Sequence, residues 1–209
     1  MSVTNMMSEK ELYSRNLPDI QEKLKLGSVA IAGLGGLGSN IAVMLARIGV
    51  GELFLVDFDK VEPSNLNRQH YNSNHLGQLK TDSMRSQLRA INPYIKVKTL
   101  AAKITAENAA SLFAEYSLVC EALDKEQIKA DFVSVMISEG KTVVAASGMN
   151  GTGSSNTITT QQKLARLYVS GDGIPPAEVG IGFMAPRVMI CAAHQANMIT
   201  RLLLGDKKC

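Results

Sequence analysis

Tryptophan is absent from this 209-residue chain, and aromatic residues make up only 5% of it. A surface that reads nucleic acid by stacking exposed bases on aromatic rings is therefore disfavoured. Cysteine is scarce. Cys120, Cys191 and Cys209 are too few and too scattered for a disulfide framework. No Cys-x-x-Cys pair and no Cys–His cluster occurs, so no zinc site is expected. His70, His75 and His194 do not form a ligand motif and read as surface or structural groups. No apolar run approaches the roughly 18–20 residues needed to span a bilayer. The start, Met1-Ser2-Val3-Thr4-Asn5, lacks a basic segment followed by an apolar core. No signal peptide, no membrane partner and a cytoplasmic location are the resulting expectations. The net charge is only +3, and no Lys/Arg block is interleaved with aromatics, so a nucleic-acid partner is not favoured either.

What is present is ordinary for a soluble globular chain: 45% hydrophobic and 20% charged residues. A single domain over 1–209 is expected. Residues 9–26 carry an apolar stripe that Pro18 splits into two helices. Ser28–Ala32 and Glu52–Val56 read as buried strands, with Gly36–Ile48 as the helix between them. Helix, strand, helix and strand then follow at Thr81–Ile91, Lys96–Leu100, Ala106–Glu115 and Leu118–Glu121. Lys125–Gly140 reads as a helix and Thr142–Ala146 as a strand. This alternation predicts an α/β fold with a doubly wound, mostly parallel Rossmann-like sheet and helices on both faces. After residue 147 the pattern changes. Ser147–Asn156 is rich in Gly, Ser and Asn, and Thr157–Thr160 with Leu164–Val169 predicts a C-terminal antiparallel extension. Gly171–Gly182 reads as a loop, and Pro186 opens a last helix reaching Leu204.

Ligands of such sheets bind beyond the carboxyl ends of the strands. Gly33-x-Gly35-x-x-Gly38 falls at that place. It permits a tight turn and close approach of backbone N–H groups to a phosphate at a helix N-terminus. Asp57, about 20 residues on, suits ribose hydroxyls. The competing reading is that these glycines only let helix and strand pack closely.

The run Asp57–Gln69 is more discriminating. It brings Asn65, Arg68 and Gln69, and Lys80 follows. A triphosphate needs cations to neutralise it and hold it in line for attack, whereas a plain dinucleotide site needs none here. A solvated loop with ordinary surface charges is the alternative.

These blocks together resemble the ThiF/MoeB/ubiquitin-activating superfamily, whose members adenylate the C-terminal glycine of ubiquitin-like proteins. The matching segments are Gly33–Asn40 (GLGGLGSN), Asp57–Gln69 (DFDKVEPSNLNRQ), Gly77–Lys80 (GQLK), Ile91-Asn92-Pro93 and Asp124. Tyr13-Ser14-Arg15-Asn16 resembles the family's N-terminal arginine motif, and Gly182-Phe183-Met184-Ala185-Pro186 resembles the opening of its last helix. The likeness is strongest to short ThiF-like proteins of thiamine biosynthesis. It implies that Gly33, Gly35, Gly36 and Gly38 lie by the phosphates of ATP, with Asp57 on the ribose. Asn65, Arg68, Gln69 and Lys80 would hold the phosphates. Asp124 would bind Mg²⁺, Asp59 would support metal or loop, and Arg15 would reach across a homodimer. The implied partner is a small ubiquitin-like sulfur carrier ending in Gly-Gly, its tail lying near Ser147–Gly153 and residues 171–185. The residues thus divide into N-terminal helices (1–26), a nucleotide-binding core (27–146) and carrier-facing loops, strands and last helix (147–209).

The chain departs from many relatives in lacking the zinc cysteines and any cysteine over residues 147–182. Cys191 reads as a small buried hydrophobe and Cys209 as an exposed tail residue. Two other activities share part of the pattern: an adenylating dehydratase acting on tRNA, and an NAD(P)-dependent oxidoreductase, which leaves Asn65, Arg68 and Lys80 unexplained.

Overall fold

The computed structural model describes residues 7–174 and 182–209. Two short helices come first, α1 (Glu9–Leu12) and α2 (Pro18–Lys25). Ser8 caps α1 reciprocally: its hydroxyl accepts the Glu11 N–H while Glu11 accepts the Ser8 N–H at 2.8 Å. Pro18 stands at the first position of α2, where its missing N–H costs nothing. The core follows as β1 (Ser28–Ala32), α3 (Gly36–Arg47), β2 (Glu52–Val56), α4 (Lys80–Ile91), β3 (Lys96–Leu100), α5 (Ala106–Leu112), β4 (Leu118–Glu121), α6 (Glu126–Ser138) and β5 (Thr142–Ala146). The chain ends with β6 (Thr159–Leu164), β7 (Leu167–Gly171) and α7 (Ala185–Leu203).

The seven strands form one sheet in the order β3-β2-β1-β4-β5-β7-β6. All pairs are parallel except β6–β7. The antiparallel extension is therefore one strand wide, because β7 continues the parallel order beside β5. The reversal of order between β1 and β4 opens a crevice at their carboxyl ends.

Strand alternation sorts the core onto the two faces. Val29, Ile31, Leu53 and Leu55 pack in one cluster with Ile41, Met84, Leu88 and Ile199 from α3, α4 and α7. Ala30, Ala32 and Val56 point the other way, into a cluster with Phe113, Phe132 and Met136 beside α5 and α6. Fully buried apolar side chains of this size are each worth about 1.5–3 kcal/mol.

The bounds of α5, β6 and β7 differ from the sequence reading, and α6 ends at Ser138 and not at Gly140. α5 ends at Leu112 and not near Glu115, because Phe113 leaves helical geometry to seat its ring against Phe132, centroids 5.1 Å apart. β6 and β7 start about two and three residues later than the expected Thr157–Thr160 and Leu164–Val169. β6 is an exposed edge strand, so no buried face marks its register in the sequence.

Candidate active site

A cavity of about 360 Å³ lies beyond the carboxyl ends of the parallel strands. All five core strands contribute: Gly33 after β1, Asp57 after β2, Ala102 after β3, Ala122 after β4 and Ser147 after β5. A more open depression of about 520 Å³ bears Lys23, Arg166 and Lys207, but it sits at the opposite edge, by the starts of β1, β4 and β5.

The glycine loop is shaped by two glycines that admit no side chain. Gly33 has φ +93°, and a Cβ there would stand 2.6 Å from Ala122 O. A Cβ on Gly38 would overlap Gly33 O itself. Gly38 therefore lets helix α3 close on its own loop, and it does not line the cavity. Gly35 and Gly36 do line it. Nothing lies nearer than 3.9 Å to a Cβ placed on Gly35, which leaves its backbone open to a ligand.

Asp57 ties this loop to the second motif. Its two oxygens accept the Leu34 and Asp59 N–H groups, each at 2.7 Å. Burial pushes its carboxyl above the usual 3.8, against the opposing pull of Lys80 and of the two N–H donors. Lys80 opens α4, and its side chain is 7% exposed. Its Nζ lies 2.9 Å from Asp59 Oδ2, while its N–H donates to Asp59 O at 2.9 Å. Asp59 thus positions Lys80 and its loop.

Arg68 and Gln69 are held from behind. Asn40 Nδ2 donates to Gly36 O at 2.6 Å and to Arg68 O at 3.0 Å, and the His70 N–H donates to the Ser39 hydroxyl at 3.0 Å. Ser39 and Asn40 thereby stitch the two motifs together, a role not read from the sequence. The Arg68 guanidinium donates to the neutral acceptors Ser64 O and Asn67 Oδ1, and stands 5.3 Å from the centre of the Phe183 ring. Gln69 is buried, with Oε1 lacking any partner among the described residues. A buried unpaired acceptor beside a cavity suits a ligand donor.

Asp124 is exposed at the cavity. Behind it, Glu121 and Lys129 form a pair at 2.8 Å, and Lys129 also reaches Leu123 O at 3.1 Å. This buried clamp on the turn before Asp124 was missed, since the sequence does not show that positions 121 and 129 meet. Lys103, Lys125 and Phe58 also line the cavity without having been anticipated.

Besides Gly38, two expected residues lie outside the cavity wall. The Asn65 side chain accepts the Glu62 N–H at 3.1 Å, capping a short turn, and is not in the cavity wall. Arg15 is exposed between α1 and α2. Its neighbour Tyr13 is anchored by Asn92 Nδ2 at 2.6 Å, which gives the Ile91-Asn92-Pro93 motif a packing role as well as a helix-ending one. Of the anticipated tail-binding segments, Ser147–Asn150 and Phe183 line the cavity, and residues 175–181 lie outside the described residues.

Cys120 and Cys191 are buried and Cys209 is exposed. Burial raises the Cys191 thiol to about 12 and the Cys120 thiol well above its usual range. Iodoacetamide at neutral pH is expected to modify one cysteine, the exposed Cys209, in the native protein and all three after denaturation. Rapid native modification of Cys191 would contradict this.

The ThiF family model matches residues 9–209. The protein named adenylyltransferase and sulfurtransferase UBA4 from Candida glabrata is 37% identical over 192 residues, covering 88% of this chain and 44% of that protein. Its namesake from Saccharomyces cerevisiae is 32% identical over the same length. The chain thus spans less than half the length of these relatives. Among solved structures, E. coli tRNA N6-threonylcarbamoyladenosine dehydratase, TcdA, in complex with ATP superposes with a TM-score of 0.85 at 20% identity, covering 95% of this chain and 97% of that one. E. coli MccB with ATP gives a TM-score of 0.70 at 22% identity, over 88% of this chain and 57% of that one. Motifs, sheet order and family match agree: the chain belongs to the ThiF family, within the ThiF/MoeB/ubiquitin-activating superfamily.

Proposed function

We propose that this protein is an adenylyltransferase that activates the C-terminal glycine carboxylate of a small ubiquitin-like carrier with ATP. The observation that carries this reading is the convergence of an open glycine loop, the cations Arg68 and Lys80, and the acidic Asp124 on one cavity. The likeness to UBA4 proteins, themselves named adenylyltransferases, supports it.

In this reading Asp57 accepts the ribose hydroxyls. Gly35 and Gly36 lie against the phosphates, and Phe58, Ala102 and Ile104 offer an apolar side for the base. Arg68 and Lys80 neutralise the phosphates, and a ligand donor satisfies Gln69 Oε1. Among the described residues no group of three or more His, Cys, Asp or Glu is arranged to hold a metal by itself. Mg²⁺ carried by a triphosphate needs only one or two carboxylates beside phosphate oxygens and water, and Asp124 fits that need. Bound there, Mg²⁺ would supply charge stabilisation on the phosphates. The terminal carboxylate oxygen attacks the α-phosphorus. The acyl–phosphate bond forms, the bond to the β-phosphate oxygen breaks, and pyrophosphate leaves. No protein nucleophile is required. Arg15 would contribute from the partner of a homodimer, and a thiazole-forming thiamine pathway is the setting proposed for the carrier.

Nucleotide binding through Asp57 requires its ionised form. Because burial raises this carboxyl above 3.8, ATP affinity is expected to fall on acidification at a pH above that value. Asp57→Asn is expected to bind weakly and to lose this pH dependence. Calorimetric titrations across the acid range check both. Separate mixing of ATP with Gly-Gly carriers and with tRNA tests the substrate class: the carrier is expected to drive nucleotide consumption, and consumption driven by tRNA alone would assign the chain to the dehydratases.

A further inference from the structure

Arg187 and Asp172 form an ion pair whose side chains are 5% and 7% exposed. Neither lines the nucleotide cavity. Arg187 Nη1 also donates to Ser154 O at 2.6 Å. Asp172 Oδ1 accepts the Ile174 N–H at 2.9 Å. The backbone continues the connection: Asp172 N donates to Gly148 O and Gly173 N to Ser147 O, both at 3.0 Å. One residue further along α7, Val188 lines the cavity, and a Cβ on Gly36 would stand 2.9 Å from its Cγ1. The loop after β5, the turn after β7 and the first turn of α7 therefore meet at one buried pair, beside the stretch Ser147–Asn150 that walls the cavity.

A buried ion pair is an inefficient way to add stability, since desolvation offsets much of the attraction. Two apolar side chains would hold α7 on the sheet as well. What they would not do is fix Ser154 O and the Ile174 N–H. We propose that Arg187 and Asp172 are positioning residues for the carboxylate substrate: they hold the 147–154 loop as the wall along which the carrier's extended tail reaches the nucleotide. This inference rests on the proposed adenylation.

The test compares wild type with Asp172→Asn and with the double variant Arg187→Met/Asp172→Leu, which replaces both charges by apolar groups. ATP–pyrophosphate exchange is measured against the concentration of whichever ubiquitin-like Gly-Gly carrier supports it in wild type, and ATP binding is measured by calorimetry. In the double variant the carrier kcat/KM is expected to fall about 10²-fold, mainly through KM, with ATP affinity within about twofold of wild type. Arg187→Lys is expected to recover only part of the loss, because an ammonium lacks the fork that spans Asp172 and Ser154 O. Asp172→Asn, which keeps the side-chain volume, gives the same comparison if the double variant does not fold. An unchanged carrier KM overturns the inference, and so does an equal loss of ATP affinity. A wild-type protein inactive with every carrier overturns the adenylation reading itself, and this inference with it.

Discussion

Lys80→Met is expected to lower carrier-dependent ATP–pyrophosphate exchange by about 10²–10³-fold while leaving the protein folded. The side chain is buried, with its ammonium 2.9 Å from Asp59, so it is held in place before any phosphate arrives. Charge that needs no reorganisation on binding stabilises a transition state most effectively. Met retains the stem that fills the wall. The structural cost is small, because Asp59 is 49% exposed and water takes over its solvation, leaving a loss of about 1 kcal/mol or less. Arg68→Ala should reduce exchange by a similar factor of about 10²–10³. The two losses should not multiply fully, since both cations act on the same phosphates. Exchange of labelled pyrophosphate into ATP measures the rates, and thermal unfolding checks the fold. A Lys80→Met protein exchanging at the wild-type rate would remove Lys80 from the proposed machinery.

The second large effect is on the loop itself. A methyl on Gly38 would stand 1.9 Å from Gly33 O, a backbone atom that cannot rotate away. Gly38→Ala must therefore move α3 off the glycine loop. Overpacking of this kind costs about 3 kcal/mol or more, which for a chain of this size lowers Tm by roughly 6–12 °C. ATP binding should weaken with it, because Gly35 caps the helix that is displaced and Gly36 opens it. Gly77→Ala provides a contrast: its φ is +79° but nothing lies within 4 Å of its Cβ, so only the backbone cost of about 1–3 kcal/mol applies. A Gly38→Ala protein as stable as wild type would show that the loop closes differently.

The sequence made the frame of this site legible because strand ends are marked by chemistry as well as by pattern. Gly33 and Asp57 stop being apolar where β1 and β2 end, and the sheet's order then brings them together. The two faces of β1 were not legible, because Val29, Ala30, Ile31 and Ala32 are all apolar and all buried. Side-chain partnerships were not legible. That Asn65 caps its own turn, that Asp59 holds Lys80, and that Glu121 meets Lys129 depend on distances that no local pattern encodes. Gly38 illustrates the same limit: its motif position indicates phosphate contact, yet its neighbour is Gly33 O. β6 was shifted because an exposed edge strand carries no buried face to fix its phase.

Adenylation of a carrier tail is tested most directly by ATP–pyrophosphate exchange with purified ubiquitin-like carriers from thiamine and molybdopterin pathways, each intact and with the Gly-Gly removed. Exchange is expected to require ATP and an intact Gly-Gly end with at least one carrier, and to be absent with the truncated form. Absence of exchange with every intact carrier, together with tight NAD⁺ binding and no ATP binding, would contradict it.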